Sequence, residues 1–507
     1  MNRHSCSRTV AVITALVLVA SLSAFATASA SSSRIATKPG TGGYTPTFEQ
    51  APCPAGVPND ARVECGVLTV PENRDQPKRA QVQLPIAIVR SQAAEKVPDP
   101  IVYLTGGPGG AAFPIISPVL ATDLGGPRDV IVLSQRGVGP STPNLDCPEL
   151  ADATWARYAT TDPAAVEQRA YDVAVRTCHD RLEASGVDLN SYNSITNAAD
   201  VADLRVALGI REWNLWGLSY GTTLAQQVMR DHPKGVRSVV VDSLLPLDMG
   251  FGGTEDVHRA MKTIEHVLDG CAASPVCAAA HPALASDLND VVAALDAQPY
   301  RRVVTDPDTG NKRPIAITGR DVINGLATLP AIPSLIPLFP QLVSQLKAGQ
   351  YGLIDMLATT LIPGLSSGSD GTFLSVQCAD RAHIDVQTGL RKLVAAHPEY
   401  DTVSTRGVEC RAWAVRPVPR SFNRPVTSGI PTLVLAGEWD PSTPPKPARE
   451  AITHLKRSFF VEFPGLSHVV VRVDNPCPQA LFRAFLADPT QHPDTSCVQG
   501  MPPPQWQ

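Results

Sequence analysis

Short, unbroken β-branched runs alternate with helical periods through the first half of this chain, and that alternation restricts the fold more than any other feature. Ile101–Thr105, Asp129–Ser134 and Val236–Asp242 are brief and mostly apolar, as strands buried on both faces are. Val82–Val89 is a further strand-like run, and Asn214–Gly217 a shorter one. Between them, Asn197–Ile210 sets Val201, Leu204, Val206, Ala207 and Leu208 on an amphipathic helix, and Thr222–His232 reads as a second helix that stops at Pro233. Strands that alternate with helices build a mostly parallel sheet flanked by helices.

The alternation stops near residue 245. From 245 to 425 the periods are mainly helical, as in Val257–Leu268, Ala285–Leu295 and Arg320–Leu326. Strand signals resume at Ile430–Ala436 and Ser458–Phe463, and a helix follows at Gln479–Leu486. The expected organisation is therefore one α/β core in two parts, 31–244 and 426–507, interrupted by a helical cap insertion at 245–425. Residues 31–60, rich in Ser, Gly, Thr and Pro, read as an extended lead-in. The apolar run Leu329–Pro340 holds four prolines, which excludes a membrane helix there.

Residues 1–30 have the layout of a secretory signal peptide: Arg3 and Arg8, the apolar run Val10–Ala20, then Ala28-Ser29-Ala30 at the expected cleavage point. An uncleaved anchor is the alternative, although the run is short for a span. Apart from Cys6, ten cysteines remain, an even number that reads as five disulfides in an exported chain. Their clustering suggests that neighbours pair: 53–65, 147–178, 271–277, 378–410 and 477–497. No CxxC pair or His/Cys ligand spacing is present, so no metal site is expected. A net charge of −5 from 43 basic and 48 acidic residues, without long basic runs, argues against nucleic acid or an anionic membrane as the main partner.

The sharpest chemical signal is Trp216-Gly217-Leu218-Ser219-Tyr220-Gly221-Thr222. A strand runs into it and a helix runs out, the setting of a nucleophile elbow, in which flanking glycines remove Cβ atoms that would clash with a strained serine. The serine oxygen then stands over the C-terminal edge of the sheet, beside a helix N-terminus that favours a developing anion. A second signal, Thr105-Gly106-Gly107-Pro108-Gly109-Gly110, follows a buried strand directly. Backbone N–H groups of Gly106 and Gly107, with that of Tyr220, are the expected oxyanion hole.

An acid and a base should follow an elbow serine in the order Ser…Asp…His. The buried strand ending at Gly437 leads into Glu438-Trp439-Asp440-Pro441, which puts Asp440 at the same sheet edge as Ser219. His468 follows Ser458–Phe463 through another loop at that edge, whereas His454 lies in a helix-like stretch and His492 in the tail. His468 is therefore the expected base and Asp440 its orienting acid. Asp242, which ends Val236–Val241, is the competing acid.

These motifs resemble those of the proline iminopeptidase group of α/β-hydrolases, and most of all its secreted tripeptidyl aminopeptidase branch. The resemblance rests on Gly106-Gly107-Pro108-Gly109, Ser134-Gln135-Arg136-Gly137, Gly217-Leu218-Ser219-Tyr220-Gly221 and Gly437–Pro444. The cysteines 271 and 277 and the run Cys378-Ala379-Asp380 are similar as well. Two positions depart from the family pattern: Thr105 and Ser134 stand where the family usually has His and Asp. The resemblance implies an α/β-hydrolase fold with a helical cap, a Ser219–Asp440–His468 triad, no metal or cofactor, and an exopeptidase that removes short N-terminal pieces from peptides. It further implies a cap carboxylate that holds the substrate ammonium, with Glu255, Asp256 and Asp380 as candidates. A secreted esterase or lipase with Leu329–Pro340 as an apolar lid is the alternative, and a non-catalytic binding protein on the same scaffold a more distant one.

Overall fold

A computed structural model describes residues 43–506, apart from 308, 365–367, 403–408 and 473–474. The expected signal peptide at 1–30 lies outside the described residues. Nine strands form the main sheet: β1 (Thr47–Gln50), β2 (Val63–Pro71), β3 (Gln81–Val89), β4 (Ile101–Leu104), β5 (Val130–Leu133), β6 (Trp213–Leu218), β7 (Val236–Asp242), β10 (Thr432–Gly437) and β11 (Ser458–Phe463). Their spatial order is β1-β2-β3-β5-β4-β6-β7-β10-β11. From β5 to β11 every pairing is parallel, while β1, β2, β3 and β5 pair antiparallel.

The continuous apolar runs are explained by what covers them. Val102, Leu104, Ile131, Leu133, Val239, Val241 and Val434 point into one core, and Ile101, Tyr103, Val130, Val132, Val240, Leu433 and Leu435 into another. Each central strand is thus buried on both faces, so no polar alternation survives in its sequence. The helix expected at Asn197–Ile210 runs Ser194–Ala207, with the Asn193 side chain accepting the Thr196 N–H as its N-cap. Residues 31–60, read as a plain lead-in, contribute the edge strand β1, whose TFEQ sequence carries no buried run to announce it.

Two features of the insertion differ from expectation. It contains a two-stranded antiparallel sheet, β8 (Tyr300–Thr305) with β9 (Lys312–Ile317), among its helices. Its core also draws on a residue from outside 245–425. Trp155, on helix Pro148–Ala159, packs into the same core as Val257, Ile264, Ile317 and Val322, so part of the first segment builds the cap. Conversely Leu374, Cys378, Trp413 and Phe422 pack into the core beneath the main sheet. The run Leu329–Pro340 forms two 3-10 turns, Leu329–Ala331 and Pro333–Leu335, and the start of helix Leu338–Lys347.

All five neighbour disulfides are present: 53–65, 147–178, 271–277, 378–410 and 477–497. They are consistent with an extracytoplasmic protein, and among the described residues no helix is long and apolar enough to cross a membrane. The bridges close loops of very different length, 32 residues for 378–410 against 6 for 271–277. Chain entropy then predicts a loss of about 4 kcal/mol for Cys378→Ser/Cys410→Ser and about 2 kcal/mol for Cys271→Ser/Cys277→Ser. Urea unfolding of the two double variants checks the ranking, and equal or reversed losses would count against the entropic account.

Candidate active site

Ser219 is the residue between β6 and helix Tyr220–Asp231, and its backbone is left-handed at φ 52°, ψ −124°. A non-glycine residue in this region stores on the order of 1–3 kcal/mol and persists only where its surroundings hold it. Here the Ser219 N–H donates to the Asp242 carbonyl at 3.0 Å. The two flanking glycines are sterically required: a Cβ on Gly217 would lie 2.4 Å from the Gly221 carbonyl oxygen, and one on Gly221 only 1.9 Å from that of Leu104. Tyr220 is the first helical residue, where a backbone N–H has no partner within the helix. Its phenol is buried beneath the turn, bonded to Ser194 Oγ at 2.8 Å and to Asn197 Nδ2 at 3.2 Å.

The glycine-rich loop after β4 lies against the same turn, since a Cβ on Gly106 would fall 2.9 Å from Ser219 Cβ. Gln135 Nε2 donates to the Thr105 carbonyl at 3.0 Å, and the Gly109 carbonyl accepts the Ser369 N–H at 2.9 Å, which pins both ends of the loop. Arg136 of the same motif is fully buried and grips both oxygens of Asp200 at 2.6 and 2.7 Å, tying the loop after β5 to helix Ser194–Ala207.

His468 Nδ1 and Asp440 Oδ2 are 2.8 Å apart. Asp440 is buried and held by the N–H groups of Ser442 and Thr443 at 2.8 and 2.9 Å and by Thr443 Oγ1 at 2.7 Å. Burial opposes the Asp440 anion, but the neighbouring imidazole and these donors outweigh it, and its carboxyl sits below the usual range. Burial likewise opposes the imidazolium, yet the charge and hydrogen bond of Asp440, with Asp242 beyond, carry His468 above its ordinary value. Thr443 was not singled out from the sequence. The signal was there in Asp440-Pro-Ser-Thr443, where an aspartate folds back on amides two and three residues on.

Asp242 does not contact the imidazole nitrogen. Its carboxylate accepts the Val470 and Val471 N–H groups at 2.9 and 3.0 Å. His454 closes a 3-10 turn, Ile452–His454, and His492 packs edge-on against Phe459, its ring centroid 5.1 Å away.

A cavity of about 940 Å³ opens inside the cap. Leu326, Leu329, Leu342 and Leu357 form its apolar wall, and Phe251, which packs against the cluster around Tyr220, forms part of its floor. The three proposed amine ligands are placed differently. Glu255 is exposed and does not line the cavity, whereas Asp256 lines it and pairs with Arg259. Asp380 is buried away from it, one oxygen near the Ser194 N–H at 3.4 Å, and burial pushes its carboxyl up to about 6. Glu167 and Asp321, which the sequence did not single out, also line the cavity, and each pairs with Arg157.

The chain matches the α/β hydrolase fold family over residues 99–472. It is 24% identical to "Serine protease Hip1" of Mycobacterium tuberculosis over 466 residues, covering 85% of this chain and 86% of that protein. Over 446 residues it is 24% identical to "Tripeptidyl aminopeptidase" of Streptomyces coelicolor, covering 82% and 79%. It is 25% identical to "Carboxylesterase B" of Mycobacterium tuberculosis over 466 residues, 85% of each. Among solved structures it resembles the proline iminopeptidase of Mycobacterium smegmatis at 16% identity and a TM-score of 0.37, covering 84% of this chain and 98% of that one. With the family match spanning most of its length, the chain belongs to the α/β-hydrolase fold family, as a serine hydrolase of that fold.

Proposed function

We propose that the protein is an exported exopeptidase that releases short N-terminal pieces from peptides through a Ser219–His468–Asp440 acyl-enzyme mechanism. The observation that carries the chemistry is the 2.8 Å His468–Asp440 pair at the same sheet edge as a left-handed Ser219. His468 Nε2 takes the Ser219 proton as the oxygen attacks the scissile carbonyl, and Asp440 fixes the tautomer and stabilises the imidazolium. The N–H of Tyr220 and those of Gly106 and Gly107 face the oxyanion. His468 then protonates the leaving amine, and water, deprotonated by the same imidazole, releases the acyl group.

The peptidase reading draws on the names of two relatives; of the three sequence candidates for a substrate ammonium, Asp256 lines the cap cavity, where Arg259 pairs with it, while Ser219, Asp440 and His468 are not among the residues lining that cavity. The apolar wall of the cavity and the carboxylesterase relative favour the second reading, an esterase. The triad by itself accepts either substrate.

Ser219 should be the residue labelled by a fluorophosphonate, with the adduct found by mass spectrometry on the peptide containing Leu218–Tyr220. Label elsewhere, or an active Ser219→Ala enzyme, would remove it from the mechanism. Asp440→Asn should lower kcat by about 10⁴ with little change in KM, on the precedent of serine-protease triads.

The base must be neutral to act, so kcat/KM should rise with pH through the His468 titration. Because that group is held above its usual value, the midpoint should fall above about 6.5. A limb centred at or below that value would contradict the Asp440–His468 coupling.

Acetylating the N-terminus of a good peptide substrate should abolish cleavage while small aryl acetates still turn over. Equal cleavage of blocked and free peptides would reject the exopeptidase and promote the esterase or an endopeptidase.

A further inference from the structure

We propose that Asp242 is a positioning residue, whose buried carboxylate holds the His468 loop in register with the Ser219 turn. This role rests on the Ser219–His468–Asp440 reading and adds a fourth residue to it.

The geometry centres on the end of β7. Asp242 is the last residue of that strand and is fully buried. Its carbonyl accepts the Ser219 N–H at 3.0 Å. Its carboxylate accepts the Val470 and Val471 N–H groups, one on each oxygen, at 2.9 and 3.0 Å. Ser243 adds a third bond, its Oγ accepting the Val469 N–H at 2.8 Å, while its own N–H reaches the Leu435 carbonyl at 2.8 Å on β10. Three successive amides after His468 therefore end on two successive residues, one of which also holds the nucleophile turn.

That loop needs holding. Val469 is left-handed at φ 66°, an uncommon conformation for a β-branched residue that costs on the order of 1–3 kcal/mol. Without the acceptors at 242 and 243 it would relax toward an extended backbone and carry the adjacent imidazole with it.

The identity of the side chain matters as well as its position. Two N–H donors arriving on separate oxygens require a group that accepts on both. Asparagine would satisfy one amide and set its own NH₂ against the other. The following groups, all among the described residues, bear on this pair. His468 is influenced by Asp440, Asp242 and Arg472, and Asp242 by His468 and Asp440, with the buried Tyr103 hydroxyl also within its field. Burial pushes the Asp242 carboxyl up to about 6, with the two amides and His468 opposing that rise. Above this pH it is an anion that supports protonation of His468, in addition to the support from Asp440. Its carboxylate acts through the loop that carries the base, and its carbonyl through the Ser219 turn.

The test measures kcat and KM against pH for full-length enzyme and its Asp242→Asn, Ser243→Ala and Ser219→Ala variants, using an aminoacyl arylamide or, for an esterase, an aryl acetate. Asp242→Asn should lower kcat on the order of 10–100-fold with KM nearly unchanged, as small misplacements of a catalytic group do. Its acid limb in kcat/KM should move to lower pH, because a negative charge beside the imidazole has gone. Ser243→Ala should lower kcat less and leave the limb where it is. Should Asp242→Asn not fold, Asp242→Ser, which is smaller and keeps one acceptor, must show the same shift. An acid limb unmoved in the Asp242 variant, or wild-type kcat, overturns the role of Asp242 while an inactive Ser219→Ala leaves the triad standing. An active Ser219→Ala overturns both together.

Discussion

Helix Tyr220–Asp231 lies so close to β4 that the space at position 221 ends 1.9 Å from where a Cβ would stand, at the Leu104 carbonyl oxygen. That approach fixes much else. It brings the glycine loop after β4 against Ser219, and it forces the β6-to-helix turn to be tight enough that Ser219 must be left-handed. A larger residue at 221 would push the helix outward, and the serine and the loop N–H groups would separate together. The placement of Ser219 against the glycine loop is thus a packing property of helix Tyr220–Asp231 on β4 before it is a property of any hydroxyl.

Two carboxylates sit near the ends of neighbouring strands, and the fold gives them different surroundings. Asp242 is within β7, directly opposite Leu435 of β10, whereas Asp440 stands three residues past the end of β10 in a loop. The extra reach lets Asp440 turn back on its own Asx-type hydrogen bonds and meet Nδ1 of His468. Asp242, rigid in the strand, meets backbone amides instead. Opposite shifts result, Asp440 below the usual carboxylate range and Asp242 up at about 6, although both are buried. What separates them is the number and charge of the donors each has within reach.

The parts of the fold legible in the sequence are those with one environment along their whole length. β4, β5, β6 and β7 are covered on both faces, so their runs are continuous and their limits fall within a residue or two of the expected ones. β1 and the half-exposed hairpin of β8 and β9 have no such signature, and neither do the boundaries of the cap. Trp155 joins the cap core and Trp413 the main core through contacts distant in sequence, which no local pattern encodes. The surroundings of the candidate amine ligands were illegible for the same reason. Glu255, Asp256 and Asp380 look alike in sequence, yet one is exposed, one is paired at the cavity wall and one is buried under a helix. His468 and Asp440 could be placed because strand ends, unlike helix faces, have a fixed position relative to the sheet edge.

The insertion is joined to the chemistry at two points, and this decides how the cap should be regarded. Ser369, at the start of helix Asp370–Asp380, donates to the Gly109 carbonyl and so bears on the glycine loop after β4. On the opposite side Trp439, next to Asp440, stacks on His266 of helix Gly253–Ala273 with ring centroids 3.9 Å apart and planes within 7°, and meets Trp506 of the tail edge-on at 5.9 Å. The acid loop is further zipped to the base loop, because the Trp439 N–H donates to Leu466, Ser467 Oγ donates to the Trp439 carbonyl, and Glu438 accepts the Gly465 N–H. A displacement of helix Gly253–Ala273 therefore acts on Trp439, and through it on the loop that carries Asp440. Helix Gly253–Ala273 is thus mechanically continuous with the loops that carry Asp440 and His468, so the position of one is set by contacts with the other.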